Sequence, residues 1–215
     1  MAACDVRIEA ALSRLQADCP APATPLPAPR CRTQTHTALA FPAREALHRT
    51  LGVDLTGIHG LGPCLALKLV GECGTSLAAW PGAKHVTSWL CLAPSNKISG
   101  GKVLSAKTRR SNNRAAALLR LAAVAVGRTE TALGAFCRRL SGRVGKAKAV
   151  TATAREIAVL FYNTLRHGMA CIDPGASCHE ERYRQRVLAN LRRRAKSLGY
   201  VLQATDPIPP VAAVS

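Results

Sequence analysis

The sequence predicts a mainly α-helical fold, broken by one short irregular or β-hairpin insertion. Three observations predict it. Apolar residues recur at helical spacing through most of the chain beyond Pro42, as in NNRAAALLRLAAVAV and AKAVTATAREIAVLFYNTLRHG. Helix signals bracket those runs, with Thr129 as a cap before TETALGAFCRRL and Gly168 closing the longest run. Periodicity breaks between Asn96 and Lys107, a stretch that contains Gly100 and Gly101. At 215 residues with 48% hydrophobic content, the chain can bury one sizeable core.

The elements follow in order. Residues 2 to 17 place Val6, Ile8, Ala11, Leu12 and Leu15 at helical spacing among Asp5, Arg7, Glu9 and Arg14, and residues 1–18 read as one helix of a coiled coil. The stretch CPAPATPLPAPRCR opens a proline-rich linker over 19–41, because repeated proline removes donors and holds an extended backbone. Pro42 to Leu51 is a short helix with proline in its first turn, and it opens the main helical domain, 42–200. Within it, LTGIHGLGPCLALKLVGECG over 55–74 resembles a helix-hairpin-helix unit in its pattern of Leu55, Ile58, Gly60, Leu61, Gly62, Ala66 and Leu69. In such a unit Gly60 and Gly62 form a phosphate-facing turn and Lys68 adds charge further along the helix; the alternative is an ordinary glycine-capped helical turn. AKHVTSWLCLA is a helix with Val86, Trp89 and Leu90 turned inward, and helices resume after the glycine insertion from Asn112. The last helix, roughly His179 to Leu198, carries seven cations against two carboxylates, and 201–215 is a flexible tail.

Charge defines the class of partner. The chain carries a formal charge of +18, and between Lys97 and Arg155 fourteen Lys and Arg residues face a single carboxylate, Glu130. Such an excess is most simply tolerated against a polyanion, of which a nucleic-acid backbone is the natural case. Aromatic content of only 4% argues for backbone contact over base stacking. The run Leu118 to Val126 is interrupted by Arg120 and far shorter than the roughly 20 residues of a bilayer span. Acids near the N-terminus do not suit a signal peptide, which implies a cytoplasmic protein. Nine cysteines contain no C-x-x-C pair and read as reduced thiols. The one local cluster, His167, Cys171, Cys178 and His179, lacks a second close ligand pair, so no metal site is assigned.

Chemistry concentrates in LAPSNKISGGKVLSAKTRRSNNR. Ser99 precedes Gly100 and Gly101, with Lys97, Lys102, Lys107, Arg109, Arg110 and Arg114 within reach in sequence. On the residues alone, a serine there contacts phosphate or caps a turn more often than it acts as a nucleophile; in the second role its oxygen would attack a phosphodiester and hold the strand in a covalent link, with cations balancing charge at phosphorus. The residues alone leave both readings open. Ser105 and Ser111 read as loop caps or phosphate contacts, and His59 as a phosphate neighbour or an idle surface group. His85 and His167 lack obvious partners, while Arg192, Arg193 and Arg194 either grip nucleic acid or form a solvated helix face. Trp80, Trp89, Phe136, Phe161 and Tyr162 suggest core packing.

The series IHGLG, KHVTSWLCLAPSNKISGGKVLS, NNRAAALLRLAA and GKAKAVTATAREIAVLFYNTLRHG resembles the C-terminal domain of the IS-one-ten family of insertion-sequence transposases, over about Leu51 to Tyr200. The resemblance implies RNA-guided recombination of DNA, with Ser99 as the essential serine before a glycine. It also implies a structured guide RNA as partner, and either a homo-oligomer or a complementing full-length transposase. In the family an N-terminal RuvC-like domain holds magnesium through four acids, whereas the twelve acids here are scattered. The resemblance therefore implies a truncated or split transposase, with residues 2 to 17 as the end of the coiled coil, no cofactor in this chain, and magnesium only through the missing acidic domain. The alternative is a non-catalytic nucleic-acid-binding module or transposase remnant.

Overall fold

A computed structural model describes residues 2–17, 25–29, 39–169 and 173–203. Much of the 19–41 linker, most of the 201–215 tail and Cys171 lie outside the described residues. The described residues form eight α-helices, one 3₁₀ turn and one two-stranded antiparallel hairpin. The helices are α1 (Ala2–Ala17), α2 (Ala43–Leu51), α3 (Pro63–Cys73), α4 (Ala83–Trp89), α5 (Arg114–Val126), α6 (Ala132–Val144), α7 (Lys146–His167) and α8 (Gly175–Ser197). The hairpin joins β1 (Lys97–Ser99) to β2 (Lys102–Ser105), and the 3₁₀ turn spans Leu55–Gly57. The mainly helical fold with a short β insertion is the architecture that the sequence predicts.

Local chemistry explains where the helices start and stop. Asn113 Oδ1 accepts the Ala116 N–H at 3.1 Å and opens α5, a run of Ala, Leu, Val and two Arg. At α6 the cap is Thr131, whose Oγ1 accepts the Gly134 N–H at 3.1 Å. Thr129 is instead part of the preceding turn, its hydroxyl donating to the Val126 carbonyl at 2.8 Å. Helix α3 begins with Pro63 at its first position, where the missing N–H costs no intrahelical bond. Helix α7 ends at Gly168 in the left-handed region, as its place after a long apolar run suggests. Helix α8 starts at Gly175, four residues before His179.

The core is built around α5 and α7. Ala115, Ala116, Leu119, Ala122, Ala123 and Val126 of α5 are buried with Ala154, Ile157, Ala158, Phe161 and Tyr162 of α7. Leu69 and Val70 of α3, together with Val86 and Leu90 of the α4 segment, join the same cluster. Short alanine side chains let these helices approach closely, and the larger residues fill the space between them. Trp89, read from sequence as inward, is 41% exposed; its ring tilts against Trp80 at a centroid distance of 5.2 Å. Helix α1 lies on α2, burying Leu12 beside Phe41 and Ala43 and donating from Gln16 Nε2 to the Ala46 carbonyl at 3.1 Å. Its Val6 and Leu15 remain exposed.

A charged latch joins α2 to the 3₁₀ turn. Arg44 Nη2 donates to Asp54 Oδ2 at 2.6 Å and Arg44 Nε to Thr56 Oγ1 at 2.9 Å, while Asp54 Oδ1 accepts the Thr56 N–H at 3.0 Å. Burial alone would raise the Asp54 pKa, but the hydrogen bonds from Arg44 and Thr56 outweigh it and hold the carboxyl below its usual value. A folded-state pKa depressed in this way contributes stability above the unfolded pKa, near 4, and that stability is lost as pH falls through the folded value. Asp54→Asn is expected to cost about 2–3 kcal/mol at pH 7, read by urea unfolding, with the gap to the parent narrowing as the pH drops below 4.

Candidate nucleic-acid interface

The Asn96–Lys107 stretch is a ribbon that projects its side chains into solvent. Gly100 (φ +54°) and Gly101 (φ +76°) both lie in the left-handed region, the requirement for a two-residue type I′ turn that matches the strand twist. No atom stands within 4 Å of a Cβ built at either glycine, so conformation, and not crowding, selects glycine there. The register pairs Ser99 with Lys102 and Ile98 with Val103. Ser99 therefore sits at the last rung before the turn, directly across from a lysine, where paired Cβ atoms are about 5 Å apart. Ile98 (62% exposed) and Val103 (58% exposed) occupy the opposite face.

The base of the ribbon is tied to the body. Pro94 pairs with Thr108, the Ser95 N–H donates to the Lys107 carbonyl at 3.1 Å, and Arg109 Nη2 donates to the Ser88 carbonyl at the end of α4 at 3.1 Å. Ser105 Oγ accepts the Lys107 N–H at 3.5 Å and Ser111 Oγ the Asn113 N–H at 3.0 Å, so both serines serve as local loop caps. Lys97, Lys102, Lys107 and Arg110 are exposed, and no carboxylate pairs with them among the described residues. Arg114 is different: its Nε lies 3.1 Å from Glu72 Oε1 of α3, which offsets part of its charge. Lys68 and Arg114 together line a groove between α1, α3 and α5.

The glycine turn of 55–74 lies apart from this cluster. Gly60 has φ +90°, and a Cβ there would stand 2.5 Å from Val126 Cγ2 and 2.8 Å from the Ala122 carbonyl oxygen. Its α-carbon is thus pressed on the C-terminal half of α5, which gives glycine a packing reason at this position. Gly62 is exposed at the start of α3 with open space around it. Different elements hold the two subsites: the end of α4 holds the ribbon through Arg109, and α5 holds Gly60.

Residues 53–138 match the family described as Transposase IS116/IS110/IS902 family. This segment is similar to a transposase domain of that family. No curated protein and no solved structure matches the chain. The transposase segment takes in the glycine turn, the whole ribbon with Ser99, and α5, whereas α1, α2, α7 and α8 lie outside the matched span.

Two contacts around the transposase domain escape sequence reading. His59 Nε2 lies 3.5 Å from Asp173 Oδ2, and Asp173 Oδ1 accepts the Ala132 N–H at 3.1 Å, so one carboxylate braces both the glycine turn and the start of α6. His59 is therefore engaged, not idle. The Arg139 guanidinium lies 3.9 Å from the Tyr183 ring centroid and holds α8 to α6. Neither pair has a local signal, since the partners stand far apart along the chain. His167 sits edge-on to Tyr162 at 5.8 Å, and among the described residues no group of three His, Cys, Asp or Glu converges on a metal-holding geometry.

The two glycines of the turn separate packing from binding. Gly60→Ala is expected to destabilise the fold by about 2–4 kcal/mol through the clash with α5 and the positive φ, read by chemical denaturation. Gly62→Ala should leave stability within about 0.5 kcal/mol, because its φ of −73° suits any residue.

Proposed function

We propose that the domain acts on DNA during insertion-sequence transposition and that Ser99 is its nucleophile. The observation that carries the reading is the placement of Ser99 at an exposed hairpin tip, across from Lys102 and amid cations without carboxylate partners among the described residues. In the proposed step the Ser99 oxygen attacks a DNA phosphorus and the phosphorus–oxygen bond to one strand breaks. The departing strand oxygen takes up the serine proton and leaves as a hydroxyl, and the other strand end stays joined to the protein as a phosphoseryl ester. That ester conserves the energy of the broken bond for rejoining to a second DNA end. Lys97 and Lys102 stabilise the negative charge that builds on the equatorial oxygens.

The residues around Ser99 do not fit a magnesium ion. The ion asks for carboxylate oxygens, and the only acid between Lys97 and Arg155 is Glu130, which is paired with Arg138 at 3.2 Å. Metal-holding acids therefore belong to another domain or polypeptide in this proposal, with a structured guide RNA choosing the DNA partners. The isolated chain is inactive on this reading, and its setting is the cytoplasm. A second reading, a binding module without chemistry, draws on the same acid-poor surroundings; both predict affinity that falls steeply with salt.

An adduct assay decides between them. The chain is supplied with an acidic RuvC-like domain, guide RNA, magnesium and labelled element-end DNA, and products are resolved on a denaturing gel. A covalent protein–DNA band is expected for the parent and for Ser105→Ala, and none for Ser99→Ala. A band that persists in Ser99→Ala overturns the nucleophile assignment.

A further inference from the structure

No residue of α8 is buried. Its first turns are held on α6, with Arg139 Nη1 3.2 Å from His179 Nδ1 and the Arg139 guanidinium over Tyr183. Beyond Tyr183, the side-chain hydrogen bonds stay within the helix: Arg193 Nη2 donates to Asn190 Oδ1 at 2.7 Å and Ser197 Oγ to the Arg194 carbonyl at 2.8 Å. This distal half stands clear of the body.

Six cations lie on it: Arg184, Arg186, Arg192, Arg193, Arg194 and Lys196. All are exposed, none joins an ion pair among the described residues, and no acid follows Glu181 in the helix. At 100° per residue they fall on every side of the helix instead of along one stripe. Cations at i and i+4, as at Arg192 and Lys196, disfavour an isolated helix, so the arrangement calls for an external anion. A flat phosphate surface would use only one side. A groove with phosphates on both walls reaches the cations on both flanks of the helix, Arg192 on one and Arg194 on the other.

We infer that the distal half of α8 seats in the major groove of duplex DNA. The groove of B-form DNA, about 12 Å wide, admits an α-helix, whereas the deep, narrow groove of duplex RNA does not. Leu188 and Leu191, both exposed, supply apolar contact for thymine methyl groups between the phosphate-directed arginines. The inference shares the DNA partner of the proposed function but rests on α8 alone, whatever Ser99 does.

The test uses the full chain and a 30-base-pair duplex, as DNA and as RNA of matching sequence. A triple variant, Arg192→Ala with Arg193→Ala and Arg194→Ala, is compared with a charge-matched control, Arg143→Ala with Lys146→Ala and Lys148→Ala. Alanine preserves helix, which circular dichroism checks. The triple variant is expected to lower the log–log salt slope for DNA by about 2–3, more than the control does, since each neutralised phosphate contributes about 0.9. The parent should bind DNA at least about tenfold more tightly than RNA and shield guanine N7 from dimethyl sulfate, with shielding lost in the triple variant. Equal binding of RNA, unshielded N7, or a triple variant that behaves like the control overturns the inference. So does a dimer of the free chain that Leu188→Ser with Leu191→Ser dissolves without changing DNA affinity, which would assign this helix to a second copy.

Discussion

The fold depends on the close approach of neighbouring segments to α5. This helix presents alanines at four of its six buried positions, and Gly60 rests on its Ala122 and Val126 end. Small side chains on both partners let the backbones come near enough for α7 and α3 to pack against it. The glycine turn is fixed at one end of α5, and the ribbon is tied to the end of α4.

The same geometry organises charge. Three acids act as braces: Asp54 latches α2 to the 3₁₀ turn, Glu72 meets Arg114, and Asp173 joins His59 to the start of α6. The ribbon and the distal half of α8 receive no such partners among the described residues. Carboxylates stabilise the framework, and uncompensated cations are left on the two elements that project from it.

Helix order and the location of the β insertion were legible in the sequence because both depend on local periodicity and glycine placement. Gly100–Gly101 between Ser99 and Lys102 is a hairpin turn by backbone conformation alone, which a short window of sequence carries. Features set by tertiary contact were not legible. Trp89 sits at helical spacing with Val86 and Leu90, yet the core is full without it and the ring stays half outside. The α6 cap fell to Thr131 and not Thr129, a two-residue difference that depends on the turn geometry after Val126. His59 and Asp173 meet only because α8 returns to α6, and no spacing rule announces such a pair. The phosphate-facing role read for Gly60 has a competing packing role, visible only once α5 is seen beside it. Ser99 was singled out by its neighbours in sequence, and the structure adds its exposure and its register opposite Lys102.

The ribbon carries one more consequence. Among the described residues, the two strands with Ile98 and Val103 open to water have no third strand beside them, and such a pair is marginally ordered by itself. On the proposed reading, the attacking alcohol is aligned only after a large, rigid surface has clamped the strands in place. Looseness in the free protein would then act as a safety catch, sparing chromosomes at random sites from scission until an assembled complex supplies the missing stiffness.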